Sequence, residues 1–426
     1  MRRTVMNLLI AIVAITLVFG FVSCKPEPLN EPGVVNVSIT DNTTRNPVSY
    51  KLTFKEAGTG KILKTENITG LTWSGEVPSG VFVLSVDAFS NDAKLVGHGS
   101  AVSSIEINET QDVAVSAKPL VTLTVAENTT VYDSLEDAVA VLTEGQNATI
   151  AVNGEITVKA TMTITDLDLT LTNLNGEDAI INDGVMSKET DTGSTANQVA
   201  RMFQISGSAN LTVQGNTTGT ILFKGASKTS AAHNNCNRRV LFFLGVKNAE
   251  KATGKVTLKD GVEVTGIYCD GTTSFGTVIR GYGNVQIDGG YYHDNYQNGN
   301  GLFCVYGTTV VNGGTFDKNI SDGSSSIIQN ASSGANLTIN GGRFTNNSAN
   351  YACVITVAGA TTTVNDGTFT GNRAAANNRG AALHGNNDAT VTVNINGGTF
   401  ADNDPYDYYR NNSTLTVAPG VSIRTN

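Results

Sequence analysis

One short pattern, written five times in the second half of the chain, restricts the possible folds more than any other feature. The copies are Ile287-Asp288-Gly289-Gly290-Tyr291-Tyr292, Val311-Asn312-Gly313-Gly314-Thr315-Phe316, Ile339-Asn340-Gly341-Gly342-Arg343-Phe344, Val364-Asn365-Asp366-Gly367-Thr368-Phe369 and Ile395-Asn396-Gly397-Gly398-Thr399-Phe400. Their second glycines are 24, 28, 25 and 31 residues apart, which suits one β-helical coil per copy with loops of unequal length. Three residues before that glycine stands Ile or Val, and two residues after it stands Phe or Tyr. Both columns are expected to point inward and stack coil on coil. Five residues after it stands an unbroken column, Asn295, Asn319, Asn347, Asn372 and Asn403, placed where amides can form a ladder at a bend. The glycine itself suits a corner whose backbone angles a side chain would forbid.

A second inward strand recurs between copies, as Thr277-Val278-Ile279, Leu302-Phe303-Cys304-Val305, Ile327-Ile328, Cys353-Val354-Ile355 and Ala381-Ala382-Leu383. Phe369-Thr370-Gly371-Asn372, followed by Gly380-Ala381-Ala382-Leu383, resembles the paired repeats of the polymorphic outer-membrane proteins over roughly residues 280 to 403. Upstream, Tyr132-Asp133-Ser134-Leu135-Glu136-Asp137-Ala138-Val139 is similar to the opening of pectate-lyase-like folds. A helix from Ser134 to Leu142 is predicted there, capped by Ser134 with Asp137 three residues on, to cover the open end of the first coil. Segments such as Leu211-Thr212-Val213-Gln214-Gly215 and Gly254-Lys255-Val256-Thr257-Leu258 read as less regular coils. Thr190 to Gln198 and Gly225 to Arg239 read as insertions that project from one face. The expected fold is all-β, a right-handed parallel β-helix over 119–426 preceded by a small antiparallel β-sandwich over 33–118.

That sandwich is read from the alternating runs Val34 to Ile39, Tyr50 to Phe54, Val81 to Val86 and Ile105 to Ile107. The run Val77 to Ala88 resembles the immunoglobulin-like or prealbumin-like modules of surface lipoproteins, which implies a spacer or accessory module. Gly97-His98-Gly99 is similar to a short motif of the polygalacturonases, but it lacks that family's companion motifs and is read as a turn.

Residues 1–23 have the form of an export signal: Arg2 and Arg3 precede an apolar run from Leu8 to Val22 that is too short and too abruptly ended for a membrane span. It closes on Phe21-Val22-Ser23-Cys24, which resembles the lipobox of bacterial lipoproteins and implies a lipid on Cys24. The proline-rich, charged stretch 24–32 suits a tether. The resemblance places the chain at the bacterial outer membrane or cell surface, with the membrane as a partner through its N-terminal lipid. Cleavage removes two arginines and leaves 26 basic against 37 acidic residues, a net charge of −11. No clustered Lys/Arg stretch is present, so a nucleic-acid partner is not expected. The remaining cysteines, Cys236, Cys269, Cys304 and Cys353, have no metal or redox spacing and are equally compatible with buried thiols and with bridges.

Chemistry-bearing residues are scattered. Asp288, His293, Asp294 and Arg280 lie on the regular coils, but Asp288 shares its column with four asparagines and reads as turn chemistry. No metal or cofactor is expected. Tyrosines are dense between Tyr268 and Tyr306, and Tyr291 and Tyr296 are the candidates for a glycan-stacking platform. Tyr406, Tyr408 and Tyr409 are expected to cover the last coil. The leading expectation is a non-catalytic adhesin or glycan-binding protein whose partner is a polysaccharide or host-surface glycan. A β-helical polysaccharide lyase or glycoside hydrolase, its acids drawn from coils 160–280, is the alternative, and a structural envelope protein a third. Anchoring is directly testable: Cys24→Ser is expected to abolish palmitate labelling and leave the precursor uncleaved, and a labelled mature C24S chain excludes the assignment.

Overall fold

The computed structural model describes residues 31–174, 176–190, 198–216, 219–245, 253–270, 278–299, 301–322, 326–330, 334–352, 354–359, 361–375 and 379–426. The export segment, the lipobox with Cys24, Cys353 and most of the first insertion lie outside them. The fold is 56% strand and 3% helix, and no described helix is long and apolar enough to cross a membrane. Two compact units are present: residues through Thr40 with Tyr50–Val86 and Ser100–Val115, and Asp41–Ser49 with Asp87–Gly99 and Ser116–Asn426.

The N-terminal sheet has seven strands in the order Ile62–Ile68, Ser49–Glu56, Gly80–Phe89, Leu95–Ile105, Thr110–Pro119, Pro32–Asp41, Thr72–Pro78. Alternation sends Val35, Val37, Leu52, Phe54, Val77, Phe82 and Leu84 inward, all buried. Phe54 and Trp73 come from strands five places apart in that order, yet their rings lie 5.3 Å from centre to centre. The sheet therefore curls until its two edge strands approach each other.

The second unit is the parallel β-helix that the repeat demands. A first face runs in parallel register from Asn147–Val152 through Asp168–Asn173, Asn210–Val213, Lys255–Leu258 and Asn284–Ile287 to Thr414–Val417. A second carries Gly154–Val158 to Thr399–Ala401, and a third Met162–Thr165 to Tyr406–Tyr409. A short fourth ladder, Tyr268–Cys269, Tyr296–Gln297, Ile320–Ser321, Ser348–Ala349 and Arg373–Ala374, follows the second face in the later coils. The early coils are as regular as the late ones on the first face. The longest connections lie between the second and third faces.

Side chains fill the interior in stacks. Tyr292, Phe316, Phe344, Phe369 and Phe400 are register partners on successive rungs, with ring centres 4.7–4.9 Å apart and planes within 20° of parallel. The corner glycine ahead of each has positive φ, from 94° at Gly290 to 138° at Gly367, a region that side chains rarely enter. At the next bend Asp294, Lys318, Asn346, Gly371 and Asp402 are also left-handed, and each is followed by one of the column asparagines.

Those asparagines are 0–1% exposed and form the expected ladder. The Nδ2 of Asn295, Asn319, Asn347 and Asn372 donates to the Oδ1 of the next asparagine at 2.9–3.1 Å. The same Oδ1 accepts the preceding asparagine's backbone N–H, and each amide also donates to a carbonyl of the neighbouring coil, as Asn347 Nδ2 does to Phe316 O at 2.9 Å. The ladder begins where Ile267 N donates to Asn295 Oδ1 and ends where Asn403 Nδ2 donates to Asp407 Oδ1 at 2.8 Å. A second ladder, Asp288-Asn312-Asn340-Asn365-Asn396, runs along the outside of the first face at 2.7–2.8 Å.

Both ends of the helix are covered. The helix α1 (Leu135–Ala140), shorter than predicted, buries Leu135, Ala138 and Val139 at the first coil, and Ser134 Oγ accepts from Asp137 N at 3.1 Å. At the other end Asp407 N and Tyr408 N donate to Arg424 O, and Val421 and Ile423 pack on the core. Two expectations are corrected. Gly97-His98-Gly99 is not a turn but part of the strand Leu95–Ile105, with His98 Nδ1 2.7 Å from Asp87 Oδ1. Tyr406–Tyr409 does not lie over the last coil but is its third-face strand, with Tyr408 fully buried. Among the described residues Cys236, Cys269 and Cys304 are buried and no disulfide joins them to one another.

The two ladders give a controlled comparison. Asn347→Ala leaves at least three buried groups without partners and is expected to cost about 3 kcal/mol or more. Asn340→Ala on the exposed ladder should change stability by no more than about 0.5 kcal/mol. Urea unfolding of both variants checks this, and equal midpoints would contradict the buried ladder's role.

Candidate functional site

Of the four polar candidates named from the sequence only His293 and Asp294 come together. Asp288 lies outside the first face, accepting from Gln286 and Asn312. Arg280 is on the outer side of the third face, 3% exposed. His293 and Asp294 are on the second face with Tyr291.

Tyr291 does point outward, 38% exposed, and its ring stacks on His293 at 4.0 Å. His293 Nε2 lies 2.9 Å from Glu263 Oε1 and its Nδ1 2.6 Å from Asp294 Oδ2. Partial burial raises the Tyr291 phenol, and the charges of Asp317, Asp294 and Glu263 push it the same way. Burial also pushes the Asp317 carboxyl up. Donors from Thr345 and Asn346 more than offset that and hold it below its ordinary value. The second face thus carries an acidic cluster around one tyrosine and one histidine.

Tyr296 does not join Tyr291. The bend at Asn295 carries it onto the fourth ladder, where its ring stacks on Tyr268 of the preceding coil at 4.4 Å and 12°. Ile320, 40% exposed, continues the same outward column. The result is an apolar stripe, Tyr268-Tyr296-Ile320, across three coils. Burial raises the Tyr296 phenol well above its ordinary value, helped by its hydrogen bond to Asp322.

The insertion 225–239 flanks this stripe, and Arg239 seats it. Its guanidinium, 1% exposed, pairs with both carboxylate oxygens of Asp183 at 2.7 and 2.5 Å. Nη1 donates to Ala232 O and Cys236 O, and Nη2 to Val185 O. One side chain therefore ties the ends of two inserted loops to a third-face strand. Within the insertion, α2 (Ala231–Asn235) is capped by Ser230 Oγ and directs His233 toward the stripe. His233 is 4% exposed, edge-on to Tyr268 at 5.2 Å, with Nε2 3.2 Å from Asp270 Oδ1 and Nδ1 without a hydrogen-bond partner. Lys228 Nζ lies 5.4 Å from the Tyr268 ring centre, and hydrogen bonding to that phenol raises the ammonium's pKa.

This corner combines aromatic surface with donors and acceptors of both charges, the composition that suits a sugar ring. Sequence reasoning named Tyr296 and the insertion separately and missed Lys228, His233, Asp270 and Asp322. The available signal was the separation of Tyr268 and Tyr296 by one coil, 28 residues. Among the described residues no group of three or more His, Cys, Asp or Glu is arranged to hold a metal ion. Comparison with protein-family models, with curated proteins and with solved structures finds no match, so the corner is read from its own chemistry.

Arg239 offers a direct test of how the insertion is held. Arg239→Met leaves the Asp183 carboxylate facing lost donors and is expected to destabilise by about 3–5 kcal/mol. Limited proteolysis should then cut within 225–239. Adding Asp183→Leu should recover part of the loss; if the double variant is as unstable as R239M, the pair is not what seats the loop.

Proposed function

We propose that the protein is a lipid-anchored surface protein that binds glycans without turning them over, and that the corner formed by Tyr268, Tyr296 and Ile320 with the insertion 225–239 is its binding site. The observation that carries this reading is the apolar stripe bordered by Lys228, His233, Asp270 and Asp322. Sugar rings present apolar C–H faces and hydroxyl edges, so recognition needs a flat apolar surface beside groups that donate and accept. The buried His233 Nδ1 without a partner is a group that a ligand hydroxyl can satisfy. The chain's net negative charge is consistent with a glycan partner and not with a nucleic acid. Attachment through Cys24 places such a site outside the cytoplasm.

A catalytic alternative rests on one observation, the acidic cluster of Glu263, Asp294 and Asp317 around Tyr291 and His293. Two carboxyl groups on one sugar-sized surface are the minimum for hydrolysis. Release of reducing ends from a bound polysaccharide, lost in Glu263→Gln or Asp317→Asn, selects this reading over binding alone.

The binding reading is tested by a glycan array followed by titration of the strongest neutral or charged hit. Tyr268→Ala and Tyr296→Ala should each remove about 1 kcal/mol of stacking, close to a fivefold loss of affinity, with unchanged melting. Hits whose affinity is indifferent to both substitutions place binding elsewhere.

A further inference from the structure

The third face carries a second arrangement, at the C-terminal coils, that the corner site does not use. Thr356, His384 and Tyr409 are register partners on three successive rungs. Each neighbours an inward core residue, Ile355, Leu383 and Tyr408, so all three point out of the helix. Outward residues of a single sheet layer are ordinarily wet. Here Thr356 is 8% and His384 2% exposed.

Their surroundings form a box. The Tyr409 ring lies parallel to His384 at 5.4 Å and 13°, and Tyr351 meets the imidazole edge-on at 5.5 Å and 71°. The Arg379 guanidinium carbon lies over the Tyr351 ring, 3.6 Å from its centre. Tyr351, Arg379 and Tyr409 are only half-buried and reach solvent, whereas Thr356 and His384 beside them are buried. Thr356 Oγ1 and His384 Nδ1 are buried, and neither has a hydrogen-bond partner. Burial, with the nearby Arg379 charge, lowers the His384 pKa to about 4, so the imidazole is neutral at ordinary pH. Polar atoms buried without partners are rare in native proteins, and two on adjacent rungs of one face ask for an occupant.

The chemistry of the walls defines that occupant. Tyrosine rings suit the C–H face of a pyranose; a neutral imidazole nitrogen and a hydroxyl suit a pair of ring hydroxyls; a guanidinium suits a carboxylate. We propose that Tyr351, Thr356, Arg379, His384 and Tyr409 form a binding site for a sugar unit that carries a carboxylate, a hexuronate. The site extends the glycan-binding reading to the third face, and it shares no residue with the corner.

The test is calorimetric titration of the full mature chain with trigalacturonate and, separately, with the neutral galactose trimer of the same linkage. Trigalacturonate should bind at least tenfold more tightly than its neutral counterpart. Arg379→Gln should remove that preference, and Tyr351→Ala should weaken both ligands, each with an unchanged melting curve. His384 supplies a local readout in the folded wild-type chain, because its Nδ1 resonance should shift on adding trigalacturonate. Equal affinity for the two trimers, no binding of either at millimolar concentration, or full binding by Arg379→Gln overturns the proposal. A Tyr268→Ala/Tyr296→Ala chain separates the two sites: loss of uronate binding there, with Arg379→Gln unaffected, sinks the box and leaves the corner standing. Loss only in Arg379→Gln supports the box whatever becomes of the corner.

Discussion

The structure depends on a row of buried carboxamides. A parallel β-helix must turn its backbone several times per coil, and each turn threatens to bury N–H and C=O groups that no strand can pair. At the bend after the second face a left-handed residue swings the chain inward, and the following asparagine spends both ends of its amide on satisfying that turn and the next. Because each amide reaches one rung in either direction, a coil cannot slip by one residue without breaking two rungs of bonds. The ring stack of Tyr292 and its phenylalanine partners, one strand away, inherits its alignment from this register. Hydrophobic burial supplies most of the driving force, but it is indifferent to small sliding, and the amides are not.

With that bend fixed, the longest connections fall between the second and third faces. The insertions before the strands Gln198–Ser206 and Arg239–Leu244 enter there, and Arg239 holds them with hydrogen bonds to Asp183, Val185, Ala232 and Cys236. A fully buried guanidinium is expensive unless every donor finds an acceptor, and here a carboxylate and three carbonyls do so. Only the first of the two candidate sites uses that anchoring. His233 is brought to Tyr268 by a loop from the coil before, and the Thr356–His384–Tyr409 row gathers Tyr351 and Arg379 from loops entering at the same corner.

Periodic features were legible in the sequence, because a column is a repeated residue at a repeated distance. The inward aromatics, the corner glycines and the asparagine ladder all announce themselves in this way. The platform was only half legible. Tyr291 and Tyr296 are five residues apart and look like neighbours, but the bend at Asn295 places them on different ladders, whereas Tyr268 and Tyr296, a coil apart, touch. His233 meets Asp270 across 37 residues and His384 meets Tyr351 across 33, distances set by insertion lengths and not by any period. Gly97-His98-Gly99 was misread because two glycines suggest a bend, while in the folded chain a side chain at Gly97 would strike Thr43 and Lys118, so the glycine serves a close approach within a strand.

The buried ladder has a direction. Every Nδ2 points toward the C-terminal end and every Oδ1 toward the N-terminal end, so the five amide dipoles add like the peptide dipoles of an α-helix. The positive pole falls at Asn403, and the group that receives its last N–H is a carboxylate, Asp407. The negative pole, at Asn295 Oδ1, accepts the backbone N–H of Ile267. Each polarised amide strengthens the next, and the terminal anion anchors the whole series. The array is thus closed electrically at one end and open at the other: an asparagine at position 267 would lengthen it by a rung, whereas another coil beyond Asn403 would first have to displace an ion.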